Sequence, residues 1–345
     1  MLRIEDLINI KYVPAESEIS LNLLFDFYEN HLCKRVYKFT LDDGQEIKIT
    51  FKDTSEIYHV SGIKHLYRGN YMDGSRFAQG VCNGSIDFTS LQKLNPNAYN
   101  DYSERIRSFA CIDTIIKNCE YLWFSNGKID DTDILVKYLL LKAVAEYNLH
   151  LGIDTYNKGK TYYPKTLLVT KGAQKNKFLD KASSKFRVSK LEIIIKETNQ
   201  IEEVVNRKMA WDKAKTYIQE ELDQWLQNEF VEKIKLHVFS KDFCNLLSED
   251  ITKESTSDEV KQAVFEHIKR KQKDEWISML RAYLDSRKES LKQLVAIHDP
   301  YWAGKIASES IQAFSRSEFK CMVEEAMACY VNTESESIKA KVIAN

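Results

Sequence analysis

Between Lys142 and Lys196 the chain runs through three apolar stretches separated by polar turns, and few folds accommodate such a segment. In the first stretch Tyr147, Leu149, Leu151 and Ile153 fall on one side, with Asn148 and His150 on the other. The second, Tyr162 to Thr170, contains Pro164-Lys165-Thr166-Leu167-Leu168-Val169, and the third, Lys185 to Lys196, contains Val188, Leu191, Ile193, Ile194 and Ile195. Period-two alternation with β-branched enrichment predicts consecutive antiparallel strands from about Ile134 to Thr198. The same segment is basic. Ten Lys and Arg residues between Lys158 and Lys190 face a single acid, Asp180, although the whole chain carries a formal charge of only −1. Tyr156, Tyr162, Tyr163 and Phe178 are interleaved with these cations. Positive charge with aromatic rings on a twisted sheet suits a polyanion that offers bases to stack, and RNA has that chemistry. A solvated lysine face that protects sheet edges from aggregation is the alternative reading.

Upstream, Leu21, Leu24, Phe25, Tyr28 and Leu32 have helical spacing, and Asp42-Asp43-Gly44 joins two alternating runs as a hairpin. Thr54-Ser55-Glu56 reads as a helix start, with Ile57, Val60, Ile63, Lys64 and Tyr67 along one stripe of the helix that follows. Residues 68–100 are broken by glycines and Asn95-Pro96-Asn97, and helical spacing returns at Ile106, Phe109, Ile112 and Ile116. Tyr121 to Ser125 reads as the first sheet strand. After Thr198 the pattern becomes helical: Gln200 to Leu236, a helix from Ser257, Asp274 to Ile297, Tyr301 to Phe314 and Ser317 to Tyr330, with a frayed polar end. Trp225, Leu226, Phe230, Trp276, Leu280 and Leu284 are its expected core. With 345 residues there is room for two domains. The expected division is residues 1–198 and residues 199–345. Seven cysteines with no CxxC pair indicate free thiols in a reducing compartment, and hence a cytoplasmic location, and argue against a structural zinc. Met1-Leu2-Arg3-Ile4-Glu5-Asp6 does not read as a signal peptide, and no run is apolar enough to span a bilayer.

No phosphate-binding glycine loop, GxSxG or HExxH is present, and no His/Asp/Glu group has metal-ligand spacing. Chemistry therefore falls to acid–base groups without a metal or cofactor. His59-Val60-Ser61-Gly62-Ile63 with Leu66, preceded by the hairpin and Phe51-Lys52-Asp53, resembles the HLxGL helix of the phage-associated barnase–EndoU–colicin–RelE-like (BECR) nucleases, in particular their fourth family. Leu149-His150-Leu151-Gly152-Ile153, Tyr163-Pro164-Lys165-Thr166-Leu167-Leu168-Val169 and Phe186-Arg187-Val188 are similar to that family's closing strands. The likeness covers about Leu21 to Thr198. Val60 stands where the motif has leucine.

This resemblance implies an α+β fold, helices packed on a roughly four-stranded antiparallel sheet, followed here by an all-α domain. It also implies metal-independent RNA cleavage, in which the ribose 2′-OH attacks the adjacent phosphate and leaves a cyclic phosphate. That reaction needs a base, an acid and cations for the phosphate. Position by position, His59 and His150 match best, and Lys165 and Thr166 lie in the family's Pro-x-Thr strand. The expected catalytic set is His59, His150, Lys165 and Thr166, with the two imidazoles facing each other across a groove. Lys158, Lys160, Lys175, Lys177, Lys185 and Arg187 are the expected RNA contacts. His59 beside Ile63 and Leu66 also suits a core histidine, and Thr166 a plain β-former. The expected role is a toxin, phage, mobile-element or defence ribonuclease whose helical part docks a protein or a second copy. The alternatives are a non-catalytic RNA-binding protein and a structural phage or mobile-element protein.

Overall fold

A computed structural model describes residues 1–67, 72–129, 134–155, 161–172, 174, 177–179, 184–271, 273–314 and 318–344. The chain divides into two compact units, Met1–Lys208 and Met209–Asn345. The first opens with helices α1 (Ile4–Leu7) and α2 (Leu21–Phe27), then the hairpin β1 (Arg35–Leu41) and β2 (Glu46–Thr50). Four further helices carry the chain to the sheet: α3 (Ser55–Val60), α4 (Gly74–Cys82), α5 (Phe88–Leu94) and α6 (Pro96–Ser108). After α7 (Ile112–Asn118) come β3 (Tyr121–Lys128), β4 (Leu135–Val144), β5 (Tyr147–Thr155), β6 (Thr161–Lys171), β7 (Ser184–Ile195) and β8 (Ile201–Asn206).

The strands form one sheet in the order β1-β2-β6-β5-β4-β3-β7-β8, and β1 also pairs with β7. That extra pairing closes seven strands into a barrel and leaves β8 outside it, on β7. The expected open four-stranded sheet is therefore corrected to a closed barrel. Closure depends on pairings no local pattern reveals. Arg35 to Leu41 lie antiparallel to Val188 to Ile195, and Lys48 and Ile49 lie parallel to Thr161 and Tyr162. The meander β4–β5–β6 is antiparallel throughout, but β7 leaves it to pair with β3 and β1. The expected helix from Gln200 begins instead as β8, set off by a turn in which Asn199 has φ +55°. Val204 and Val205 fit a helical period only when the strand partner is unknown.

The ring has a distinct inside. Tyr138 of β4 meets Tyr162 of β6 at 5.5 Å and Phe186 of β7 at 6.3 Å, although in each case another strand lies between. Rings from next-nearest strands converge only on the concave side of a closed sheet. Helix α7 is buried along its whole length, packs against β4 and β5, and reaches β1 through Asp113 and Tyr37. Those strands stand across the ring from one another, so α7 plugs it. Helices α3 and α6 lie on the outer surface of β6.

The second unit is helical: α8 (Arg207–Trp225), α9 (Val231–Val238), α10 (Lys241–Leu247), α11 (Ser257–Lys271), α12 (Lys273–Ser286), α13 (Lys288–Ala296), α14 (Ala303–Phe314) and α15 (Glu318–Ala344), with a π turn joining α8 to α9. Trp225, Phe230, Trp276, Leu280 and Leu284 are buried in one core, with Leu226 partly buried against it. Helix α15 continues to Ala344 where a frayed end was expected, because Val331, Ile338 and Val342 remain in that core and Ser335 Oγ lies 2.8 Å from Ser257 Oγ. Among the described residues, no helix is long and apolar enough to cross a membrane.

Candidate active site

The His59 motif does not form one continuous helix. Helix α3 stops at Val60, Gly62 takes the left-handed conformation at φ +82°, and Ile63–His65 form a 3-10 turn. A positive φ favours glycine at a helix C-terminus. Carbonyls at the helix end, Val60 O and His59 O, the second of which also accepts from Gly62 N, accept hydrogen bonds from Arg105 of α6. Its Nε donates to Val60 O at 3.2 Å, and Nη2 donates to Val60 O at 2.9 Å and His59 O at 3.4 Å. The same Nη2 donates to Thr166 Oγ1 of β6 at 2.8 Å, which ties α3 to the barrel wall. A Cβ on Gly62 would lie 2.9 Å from Arg105 Nε, so the glycine also makes room for the guanidinium. The second glycine of the motif pair does different work. A Cβ at Gly152 would come within 2.8 Å of both Thr166 Cγ2 and Val136 Cγ1, so it permits close side-chain packing.

Beside this junction β6 carries one extra residue. Gly152 pairs with Thr166 and Ile153 with Pro164, which leaves Lys165 as the bulge. A bulge re-aims its side chain and tolerates a proline that cannot donate to the ladder. Lys165 Nζ reaches Asp154 Oδ2 at 2.7 Å. Lys64, from the 3-10 turn, is exposed and has no acidic partner among the described residues. Its ammonium is held below the usual lysine range by partial burial, then by repulsion from Arg105 and Lys165. Arg105 is only 9% exposed, has no carboxylate partner among the described residues, and is pulled down to about 10 by burial. His59 is exposed, sits edge-on to Tyr58 at 5.3 Å, and has its imidazole pKa lowered by partial desolvation and then by Lys64. In the 3-10 turn, His65 stacks on Tyr102 at 4.7 Å. One lip of the barrel thus gathers His59, Lys64, Arg105 and Lys165, of which Lys165 is paired with Asp154.

The structure brings His59, Lys165 and Thr166 to this place and sets His150 apart from it. His150 pairs across the sheet with Leu141 and Leu168, on the same outer face as Thr166. Its side chain is 0% exposed and lies edge-on to Phe178 at 5.2 Å. The face opposite Leu149 and Leu151 was expected to be polar and open, but Phe178 and Leu179 fold over it and join a small outer core with Leu139 and Leu168. The two imidazoles therefore do not face each other across an open groove. Thr166 is 1% exposed, and its hydroxyl accepts from Arg105. Of the expected RNA contacts, Lys158, Lys160 and Lys175 lie outside the described residues. Lys177 is exposed beside Phe178, and Lys185 and Arg187 stand on the outer face of β7. Arg105 was not legible in the sequence. Its partners lie 45, 46 and 61 residues away and include main-chain carbonyls, which leave no side-chain pattern.

Among the described residues no group of three or more His, Cys, Asp or Glu side chains could hold a metal ion. Comparison with protein-family models, with characterised proteins and with solved structures finds no match to this chain.

Proposed function

We propose that this chain is a metal-independent ribonuclease of the kind its short motifs resemble, acting at the lip formed by α3, α6 and β6. One observation supports this above the others: His59 is accessible and shifted toward its neutral form beside two cations, Lys64 and Arg105, that have no acidic partner among the described residues. A neutral imidazole can take the proton of a ribose 2′-OH, whose oxygen then bonds to the adjacent phosphorus while the bond to the 5′-oxygen breaks. In this reading Lys64, whose ammonium releases its proton more readily than an ordinary lysine's, returns a proton to that leaving oxygen. Charge developing on the non-bridging phosphate oxygens is met by Lys165 and the Arg105 guanidinium. Thr166 serves here as a positioning residue that holds Arg105.

Labelled single-stranded RNA, incubated with the purified full chain in EDTA, is expected to give fragments ending in a 2′,3′-cyclic phosphate, identified by mass. A 2′-deoxy residue at the cleaved position should block the cut. His59→Ala and Lys64→Ala should each slow cleavage by on the order of 10²- to 10⁴-fold. RNA left intact by the wild-type chain, or cut at an unchanged rate by His59→Ala, would overturn the assignment. Binding without cleavage would favour the non-catalytic RNA-binding reading.

A further inference from the structure

We infer that the outer face of β3 and β7 is a stacking platform for an unpaired stretch of RNA, built from Tyr121, Trp123, Lys185 and Arg187. In register, Tyr121 lies opposite Arg187 and Trp123 opposite Lys185. The four side chains therefore share one face, with each ring beside a cation. The Tyr121 and Trp123 rings are 6.2 Å apart at 63°, and Lys185 Nζ lies 4.8 Å from the first ring and 5.7 Å from the second. Both rings are partly exposed and Lys185 is exposed, whereas Tyr138, on the opposite face, is buried in the barrel. Among the described residues Lys185 has no carboxylate partner; its contacts are these two rings. An ammonium held over ring faces can move to a phosphate when a base takes its place, so the rings lose one π partner and gain another.

The platform is aligned with the candidate active site. Lys185, Trp123, Leu139, Gly152 and Thr166 are paired in one unbroken row across five strands. Four strand spacings of about 4.8 Å give roughly 19 Å along the wall. Thr166, at the far end, holds Arg105. An RNA strand engaging both ends would cross the outer cap on which Lys177 is exposed. That span suits a few nucleotides of single strand and falls within the roughly 4–16 nucleotides that a small nucleic-acid-binding barrel covers. A rigid duplex cannot lay splayed bases on two rings set at this angle, so the platform selects unpaired RNA. The inference rests on the ribonuclease reading only for its choice of RNA as the polyanion.

The test uses the full chain and a fluorescein-labelled 2′-O-methyl oligouridine of about a dozen nucleotides, which cannot undergo 2′-OH attack, so binding by anisotropy is read apart from cleavage. Tyr121→Leu and Trp123→Leu should each weaken binding by about 5- to 150-fold, while Tyr121→Phe and Trp123→Phe bind like wild type. Lys185→Ala should reduce the salt slope by about 0.7. A matched 2′-O-methyl duplex should bind more weakly and respond to none of the ring changes. Trp123 packs partly on the outer core, so if Trp123→Leu melts early, Tyr121→Leu and Lys185→Ala carry the test. Ring variants that melt like wild type yet bind single strand unchanged would overturn the platform, and so would an equal loss of duplex binding. If ordinary RNA is not cleaved but the ring variants still lose single-strand binding, the platform stands and only the ribonuclease reading falls.

Discussion

At the scale of single residues, the protonation of His59 governs the expected pH profile. Partial burial and the neighbouring Lys64 both favour the neutral ring, so its pKa lies below the ordinary value of 6.5. A base works only when neutral. Cleavage should therefore rise with pH through a midpoint below 6.5, then fall at alkaline pH as Lys64, itself below 10.5, loses its proton. Initial rates of RNA cleavage across pH 4 to 10 give about two limbs, and an acidic limb at or above 6.5 would contradict the neutral-base role. Glycine positions give a second residue-scale expectation. Gly62 at φ +82° faces Arg105, whereas Gly84 at φ +76° faces open space. Each Gly→Ala change should cost about 1–2 kcal/mol for the left-handed backbone. Gly62→Ala should cost more, because Arg105 must leave the carbonyls that it caps. Equal losses in a denaturant titration would show that the close approach carries no weight.

Secondary elements owe their ends to different causes. The β1–β2 turn uses Gly44 at φ +83°, which Asp43-Gly44 announces, and β4–β5 turns through Ala145 and Glu146 with Ala145 at φ +51°. A two-residue hairpin whose first central residue has positive φ favours glycine there, and alanine accepts it only under strain. Ala145→Gly is expected to raise stability by about 1 kcal/mol, read as a higher melting temperature; a lower one would mean that this turn is not strained. Within β6, Pro164 would argue against a central strand, and the bulge at Lys165 resolves the conflict. The tight pairing around Gly152 is the tertiary counterpart of that bulge.

On the scale of the whole first unit, Asp113 joins segments that are far apart in sequence. The carboxylate is 0% exposed and accepts from His31 Nε2 at 3.0 Å, with Lys117 Nζ at 3.3 Å, and Lys117 continues to Glu203 of β8 at 3.0 Å. Burial alone would raise its pKa, but the His31 hydrogen bond and the Lys117 charge outweigh that and leave it lowered. A depressed carboxylate pKa contributes stability above its unfolded value, about 3.9, and that contribution is lost as pH falls through the folded pKa. Asp113→Ala should therefore cost about 3–5 kcal/mol near neutrality. The gap between variant and wild type should narrow below pH about 4, as followed by thermal melts. A constant gap across that range would remove Asp113 from the acid response.

The local pattern alone identified the strands of the β4–β5–β6 meander, the Asp-Gly hairpin and the apolar stripes of the second unit. Each depends on residues a few positions apart, where periodicity and turn chemistry act directly. It did not disclose the barrel. Closure joins β1 to β7 and β2 to β6 across long stretches of chain, and a strand's outward pattern is the same whether its neighbour is solvent or another strand. The candidate site divides in the same way. His59, Lys165 and Thr166 were legible as motif residues, whereas Arg105 entered only because α6 folds back over α3 and β6. His150 lost its access to solvent because Phe178, 28 residues downstream, closes over the outer face of β5. Local chemistry is written in neighbouring side chains; burial and the meeting of distant charges are decided when the sheet closes.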